Sequence, residues 1–437
     1  MQIDNTTLND LSIFNHDESL SVFHHFNFAR TSDGKEQLRN ILASPLKSIE
    51  EIKEIQALLR RYIEVLPQWP ETISNGTIMV IDKFYQTIID IIPHPVSSMN
   101  GLSYKILNSS DYGIVRFTVK QAIALIYGMR RIVVLFSEKP NPKPLQKVLD
   151  SIAQILNRPL IKQISAYPIS EKLSLKETLN TGHLLQQYRQ GIKELLDIYG
   201  KLDAWYSLAS ACVHYKFSFP EVIASSSPEI KAEQLFHPLL ATPVAYDFTL
   251  DKQQNFLFLT GANMGGKSTF IKAVGIAVYL AHLGMGVPAT NMQVSFLDGL
   301  VSNIQVTDNI LLGESYFYNE VQRVKKVIEK INDGKKWLVL IDELFKGTNV
   351  QDAMKCSSSV IEGLRKIPAS LFILSTHLYE IGEGLKQYTN IQFRYFEIDT
   401  SNDDLQFSYQ LKEGISNDRI GYLILKREGV VDMLNKL

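Results

Sequence analysis

Thr260-Gly-Ala-Asn-Met-Gly-Gly-Lys-Ser-Thr269 is the stretch on which the fold turns. Gly261, Gly266, Lys267 and Ser268 satisfy G-x-x-x-x-G-K-[ST], the pattern of a phosphate-binding loop. Upstream, the continuous apolar run Asn255-Phe-Leu-Phe-Leu259 has the character of a strand buried on both faces of a parallel sheet. Downstream, Phe270, Ile271, Val274, Ala277, Val278 and Ala281 recur at helical spacing from Ser268 to Leu283. The loop therefore joins a strand end to a helix N-terminus, where free N–H groups and the positive end of the helix dipole favour a polyphosphate. In such a loop Lys267 reaches the β- and γ-phosphates, and the Ser268 hydroxyl ligates Mg²⁺.

Working outward, 437 residues suffice for two or three domains with their own cores. Lys plus Arg (45) and Asp plus Glu (46) nearly cancel, so contact with nucleic acid requires a local basic patch. Cys212 and Cys356 lack metal-type spacing, which predicts a reducing, cytoplasmic setting. The apolar stretches 121–136 and 273–289 are broken by Arg130-Arg131 and by His282, so no membrane span is expected.

Residues 1–20 read as a polar lead-in, and 21–228 as a mainly α-helical region with a short clamp. Asp33 and Ser48 are candidate N-caps there. The clearest helical stripe runs through Leu184, Leu185, Tyr188, Ile192, Leu195, Leu196, Tyr199, Leu202, Trp205 and Leu208. Residues 70–168 are the least informative part, with Pro-containing loops at 93–100 and 140–144. From 229 to 437, strand-length runs at 256–259, 337–341 and 370–375 alternate with helical segments, the signature of an α/β domain. The runs Ile391–Ile398 and Leu405–Leu411 flank a turn-rich segment and predict an antiparallel hairpin.

The other parts of a nucleotide-hydrolysing site follow in order. Leu338-Val-Leu-Ile341 delivers Asp342 and Glu343 to the end of a buried strand: Asp342 to hold Mg²⁺, Glu343 to orient or deprotonate the attacking water. Ser370-Leu-Phe-Ile-Leu-Ser-Thr376 delivers His377, an imidazole able to contact the γ-phosphate. Gly347-Thr-Asn349 with Asp352 forms a loop able to cross to a partner subunit.

This combination resembles the MutS family of ABC-type ATPases. The resemblance rests on the Asn-Met-Gly-Gly-Lys-Ser-Thr core, on Gly313-Glu-Ser-Tyr-Phe317 with Glu320, on Leu340-Ile-Asp-Glu-Leu-Phe-Lys-Gly-Thr348 and on Ser375-Thr-His-Leu378. Phe236-His-Pro-Leu239 resembles the entry to that ATPase domain, and 31–59 and 202–220 resemble the two ends of the family's lever or core region. It implies a helical lever/core domain followed by an α/β P-loop ATPase domain that works as a homodimer. It implies that ATP lies on Gly261, Ala262, Asn263, Met264, Gly265, Gly266, Lys267, Ser268 and Thr269, with Mg²⁺ on Ser268 and Asp342. Catalysis falls to Lys267, Glu343 and His377, and Ser315 completes the site from the other subunit. The adenine is expected against Val244 and under Tyr409.

There are departures from the family pattern. Ala262 stands where mismatch sensors carry Pro, Glu314 replaces an often basic residue, and Lys346 replaces Arg, losing any bidentate contact. No mismatch-reading domain or Phe-x-Glu wedge precedes the lever in this sequence, so DNA is expected to be recognised by shape or backbone. Two functions remain open. One is a DNA-binding ATPase that moves its helical arms in repair or recombination control; the other is a nucleotide-gated module acting on a protein, a ribosome or structured RNA. An ABC transporter motor is disfavoured because the Leu-Ser-Gly-Gly-Gln signature is absent.

Overall fold

The structure, a computed structural model, describes residues 1–167, 173–262, 264–304, 316–399, 406–416 and 425–434. The chain divides into two compact units, one of Phe26–Ser44 with Glu54–His214, the other of Met1–His25, Pro45–Lys53 and Tyr215–Leu437.

The first unit is helical. Ser74, Ser97 and Ser174 each open a helix (Asn75–Gln86, Ser98–Leu107 and Leu175–Gln187) through a reciprocal capping box that satisfies two otherwise orphaned N–H groups. The helices Ser109–Leu135 and Arg189–His214 are the long members. The stripe read from sequence is shared between two helices, because Tyr188 is the C-cap of Leu175–Gln187 and Arg189–His214 starts beyond it. At its centre Tyr62, Trp69, Phe136 and Trp205 form an aromatic cluster with centroids 5.0–6.5 Å apart. Beside it the buried Asp203 carboxylate accepts from Arg30 N (3.0 Å), Thr31 N (2.9 Å) and Thr31 Oγ1 (2.7 Å). Gly34 passes under this carboxylate; a Cβ there would lie 2.1 Å from Oδ2. The N-cap of helix Ser32–Ala43 is Thr31, accepting from Gly34 N, and the predicted cap Asp33 sits within its first turn. Ser48, in the Pro45–Lys53 segment of the other unit, does accept from Glu51 N at 3.1 Å, as a cap should.

Among the described residues the second unit holds ten strands: Glu221–Ile223 (β1), Ile230–Leu235 (β2), Tyr246–Leu250 (β3), Phe256–Thr260 (β4), Asn291–Ser295 (β5), Gly299–Asn303 (β6), Trp337–Asp342 (β7), Ser370–Ser375 (β8), Ile391–Asp399 (β9) and Gln406–Glu413 (β10). They form a four-stranded sheet in the order β1-β5-β2-β3 and a six-stranded sheet in the order β10-β9-β4-β8-β7-β6. Within the larger sheet β9, β4, β8, β7 and β6 run parallel, and β10 pairs antiparallel with β9 as the predicted hairpin. Every residue of β4, β7 and β8 is buried, which is why their sequences read as unbroken apolar runs. A helical region followed by an α/β region is thus what the chain forms. Sequence reading did not anticipate the smaller sheet, nor that residues 1–25 belong to the α/β unit. Gln2 bridges Gly299, and the buried Asp10 carboxylate accepts from Ser302 Oγ (2.6 Å) and Ile304 N (3.0 Å). Among the described residues no helix is long and apolar enough to cross a membrane.

Candidate nucleotide site

The C-terminal ends of β4, β7 and β8 open at one edge of the larger sheet, where ligands bind in open α/β folds. After β4 the chain turns through Gly261 (φ 131°), Met264 (φ 67°) and Gly266 (φ 107°) into the helix Lys267–His282. Gly261 is required twice over, since its φ is left-handed and a Cβ would stand 3.2 Å from the Phe396 carbonyl oxygen. Gly266 is the helix N-cap and brings no side chain to the N–H groups behind it.

Lys267 folds back over the loop, donating from Nζ to Gly261 O (2.7 Å) and Ala262 O (2.9 Å). Burial lowers its pKa to about 8; the negative charges of Glu343 and Asp342 oppose that shift and Lys346 adds to it. Ser268, one residue on, donates from Oγ to Asp342 Oδ2 at 2.5 Å. The other Asp342 oxygen accepts from the Ser375 hydroxyl, because β7 and β8 pair Asp342 with Ser375 in register.

Glu343 follows Asp342 with φ 61°, a left-handed conformation that costs a non-glycine residue on the order of 1 kcal/mol or more. Its backbone N–H is held by Ser375 O at 3.0 Å. Its carboxylate takes His377 Nε2 at 2.7 Å and Lys346 Nζ at 2.9 Å. Burial works against this charge, but the hydrogen bonds and charges of His377 and Lys346 prevail and bring the pKa down to about 2. An ionised carboxylate only accepts, so His377 Nε2 carries the shared proton. Lys267 Nζ, 3.4 Å from that nitrogen, is then a close neighbour without a lone pair to bond. Lys346, which stands where the resemblance placed Arg, brings an ammonium to Glu343 in place of a bidentate guanidinium.

Behind the loop stands Phe396 of β9, fully buried, with its Cβ 3.4 Å from where a Cβ on Gly265 would lie. Tyr246, next to the Val244 segment, meets Phe396 and Phe270 edge-on at 5.7 and 5.4 Å. Val244 itself is half-buried in the approach to β3. Tyr409 places its ring beside Gly266, and its φ of 52° lies in an irregular register between β10 and β9. Beyond β7, the buried Glu320 accepts from Lys346 N (3.0 Å) and Gly347 N (3.1 Å), fixing the following loop. Asn349 caps the helix Val350–Leu364 and exchanges hydrogen bonds with Asp352.

The structure thus brings together Gly261, Ala262, Gly265, Gly266, Lys267, Ser268, Asp342, Glu343 and His377. Asn263 and Ser315 lie outside the described residues. Sequence reasoning missed Ser375 and Phe396. Ser375 was reachable from parallel alignment of the two apolar strands, whereas nothing local in the sequence marks Phe396 as the wall behind the glycines. Ser268 and Asp342 are one hydroxyl and one carboxylate converging on one point, a donor set suited to Mg²⁺, which keeps several waters and substrate oxygens. Among the described residues no group of three or more His, Cys, Asp or Glu forms an all-protein metal cage.

Residues 257–433 match the family described as MutS domain V. The DNA mismatch repair protein MutS of Petrotoga mobilis is 28% identical over 249 residues, covering 56% of this chain and 30% of its own. That of Carboxydothermus hydrogenoformans is 29% identical over 257 residues, covering 56% and 29%. DNA mismatch repair protein spellchecker 1 of Drosophila melanogaster is 27% identical over 227 residues, covering 51% and 24%. The chain spans less than a third of the length of these relatives.

Proposed function

We infer that this chain, MutS-like over its C-terminal half, is an ATPase that couples ATP binding and hydrolysis to movement of its helical region on DNA. The observation that carries the reading is the convergence of Lys267, Ser268, Asp342, Glu343 and His377 at the mouth of β4, β7 and β8. The loop 261–266 wraps the phosphates with backbone N–H groups, and Lys267, released from the two carbonyls it now holds, turns to the β- and γ-phosphates. Ser268 and Asp342 would hold Mg²⁺, which would supply neutralisation of the phosphate charge. Glu343 orients the attacking water and takes its proton. A carboxylate of low pKa is a weak base, so in catalysis Glu343 must exchange the Lys346 and His377 contacts that now hold it for contacts with water. His377 is then free to donate Nε2–H to the γ-phosphate. Ser315 of a second subunit completes the site in this reading.

The test is Glu343→Gln. It should retain ATP binding and lower turnover by about 10²–10⁴-fold, the usual contribution of a positioned acid–base group. Loss of ATP binding would remove Glu343 from its role. For trans completion, mixing Lys267→Ala with Ser315→Ala subunits should recover one working site per heterodimer; both parents inactive and the mixture equally so would exclude it. DNA engagement is tested with mismatched, branched and duplex DNA at several salt concentrations. Binding that is salt-insensitive or undetectable for all three would favour a protein or RNA partner.

A further inference from the structure

In the helical unit, residues 88–107 present an apolar surface that has no partner among the described residues. Ile88 is 99% exposed, Ile91 92%, Met99 82%, Leu102 51%, Ile106 66% and Leu107 80%. Loose attachment of the segment does not explain this, since the same stretch buries Ile92, Val96 and Tyr104. Ile92 and Val96 are 1% and 6% exposed. Ile92 reaches the surface of Gly182, and Val96 and Leu179 pack over Gly101. Tyr104 donates from its hydroxyl to Asp90 O at 3.2 Å, and Asp90 N donates to Asp111 at 2.9 Å, tying the loop that carries Ile88 and Ile91 to the helices Ser98–Leu107 and Ser109–Leu135. With Gly101 and Tyr104 turned inward, Met99, Leu102 and Ile106 fall at i, i+3 and i+7 on the outward face.

We propose that this face is an interface with a second copy of the same chain, formed by Met99, Leu102 and Ile106 packing against their symmetry mates with Ile88, Ile91 and Leu107 around them. Three observations choose this occupant. The six side chains offer on the order of 800 Å², the share one partner contributes to a standard interface. A nucleic-acid backbone is a poor match, because the only Lys or Arg in 88–107 is Lys105, whose ammonium lies 5.6 Å from the Tyr112 ring centroid. The patch carries one exposed acid, Asp90, and one exposed base, Lys105, so a two-fold axis can bring each against its opposite, whereas a one-sided charged partner leaves one unmatched.

The experiment uses the full chain without nucleotide. Sedimentation equilibrium should give a dimer whose dissociation constant rises at least tenfold in Leu102→Glu/Ile106→Glu. Both positions are exposed, so the circular dichroism spectrum should remain that of the parent. Independently, Leu102→Cys and Met99→Cys should form intermolecular disulfides on mild oxidation, while the parent, with Cys212 buried, should not do so through this face. A dissociation constant changed less than twofold together with no disulfide overturns the proposal. So does a charge variant that loses duplex DNA binding while its self-association is unaltered. A dimer formed only through the ATP site is recognised because it would ignore the Leu102 and Ile106 substitutions, and that outcome overturns the proposal.

Discussion

Lys267 and Glu343 sit 76 residues apart in the sequence and share one neighbour, His377. Both pKa values fall on folding, so stability rises with pH in each window, but the charge of Glu343 stabilises the folded chain whereas that of Lys267 destabilises it. Glu343 falls from 4.5 to about 2 on folding, so the unfolded chain binds more protons between those values. Its contribution is complete above pH 4.5 and disappears as pH falls towards 2; from the shift it is at most about 3 kcal/mol. Urea titrations should therefore show a stability gap between the parent and Glu343→Gln at pH 6 that narrows by about half at pH 3 and closes only below pH 2. Lys267 falls from 10.5 to about 8, so its charged form is disfavoured in the folded state and stability rises as pH climbs through 8 to 10.5. Lys267→Met should accordingly melt higher than the parent at pH 7 while losing nucleotide binding, with the gain shrinking by pH 10. A gain that persists unchanged at pH 10 would separate it from the lysine charge. The residue types at these positions were legible from the motif spacing. Their mutual contacts were not, because they depend on the parallel register of β7 with β8 and on the left-handed turn at Glu343.

At the scale of elements, apolar periodicity located β4, β7, β8 and the β9–β10 hairpin, since a strand buried on both faces has no polar alternation to disguise it. The smaller sheet escaped notice because β2 and β3 are short, half-exposed and interrupted by a register shift between Ala232 and Leu235. Residues 70–168 were read poorly for a related reason. Ser109–Leu135 buries residues around much of its circumference, which blurs the stripe that marks a surface helix. The helix behind the phosphate loop shows how closely elements are matched. A Cβ on Gly275 would meet Leu11 Cδ2 at 2.5 Å and Leu340 Cδ1 at 2.6 Å, both side chains fully buried. Gly275→Ala gains helix propensity but overpacks this contact, and a net loss of about 1–2 kcal/mol is expected from the denaturation midpoint.

For the whole molecule, the notable feature is that the amino-terminal residues join the α/β unit across nearly three hundred positions of sequence. Thr7 Oγ1 accepts from Ser302 N at 3.0 Å, and Asp10 accepts from Ser302 Oγ and Ile304 N, covering the edge strand β6. Asp10→Ala leaves two buried donors unmatched, at a cost of about 2–3 kcal/mol. Hydrogen exchange should accelerate at the β6 amides Leu300–Asn303 and stay unaltered in the helix Arg189–His214. Equal acceleration in both would mean that Asp10 stabilises more than the α/β unit.

By itself the sequence determined the helical and α/β halves, the loop on which phosphate chemistry is proposed and the carboxylates and histidine beside it. These follow from local signals: glycines at fixed offsets, and apolar runs whose period reports burial. Only the tertiary structure decided that Ser375 buttresses Asp342, that Phe396 backs the glycines, that Lys267 rests on its own loop and that residues 1–10 cover β6. Each of these is a contact between segments distant in the chain, set by strand order and register. No local propensity in the sequence encodes it.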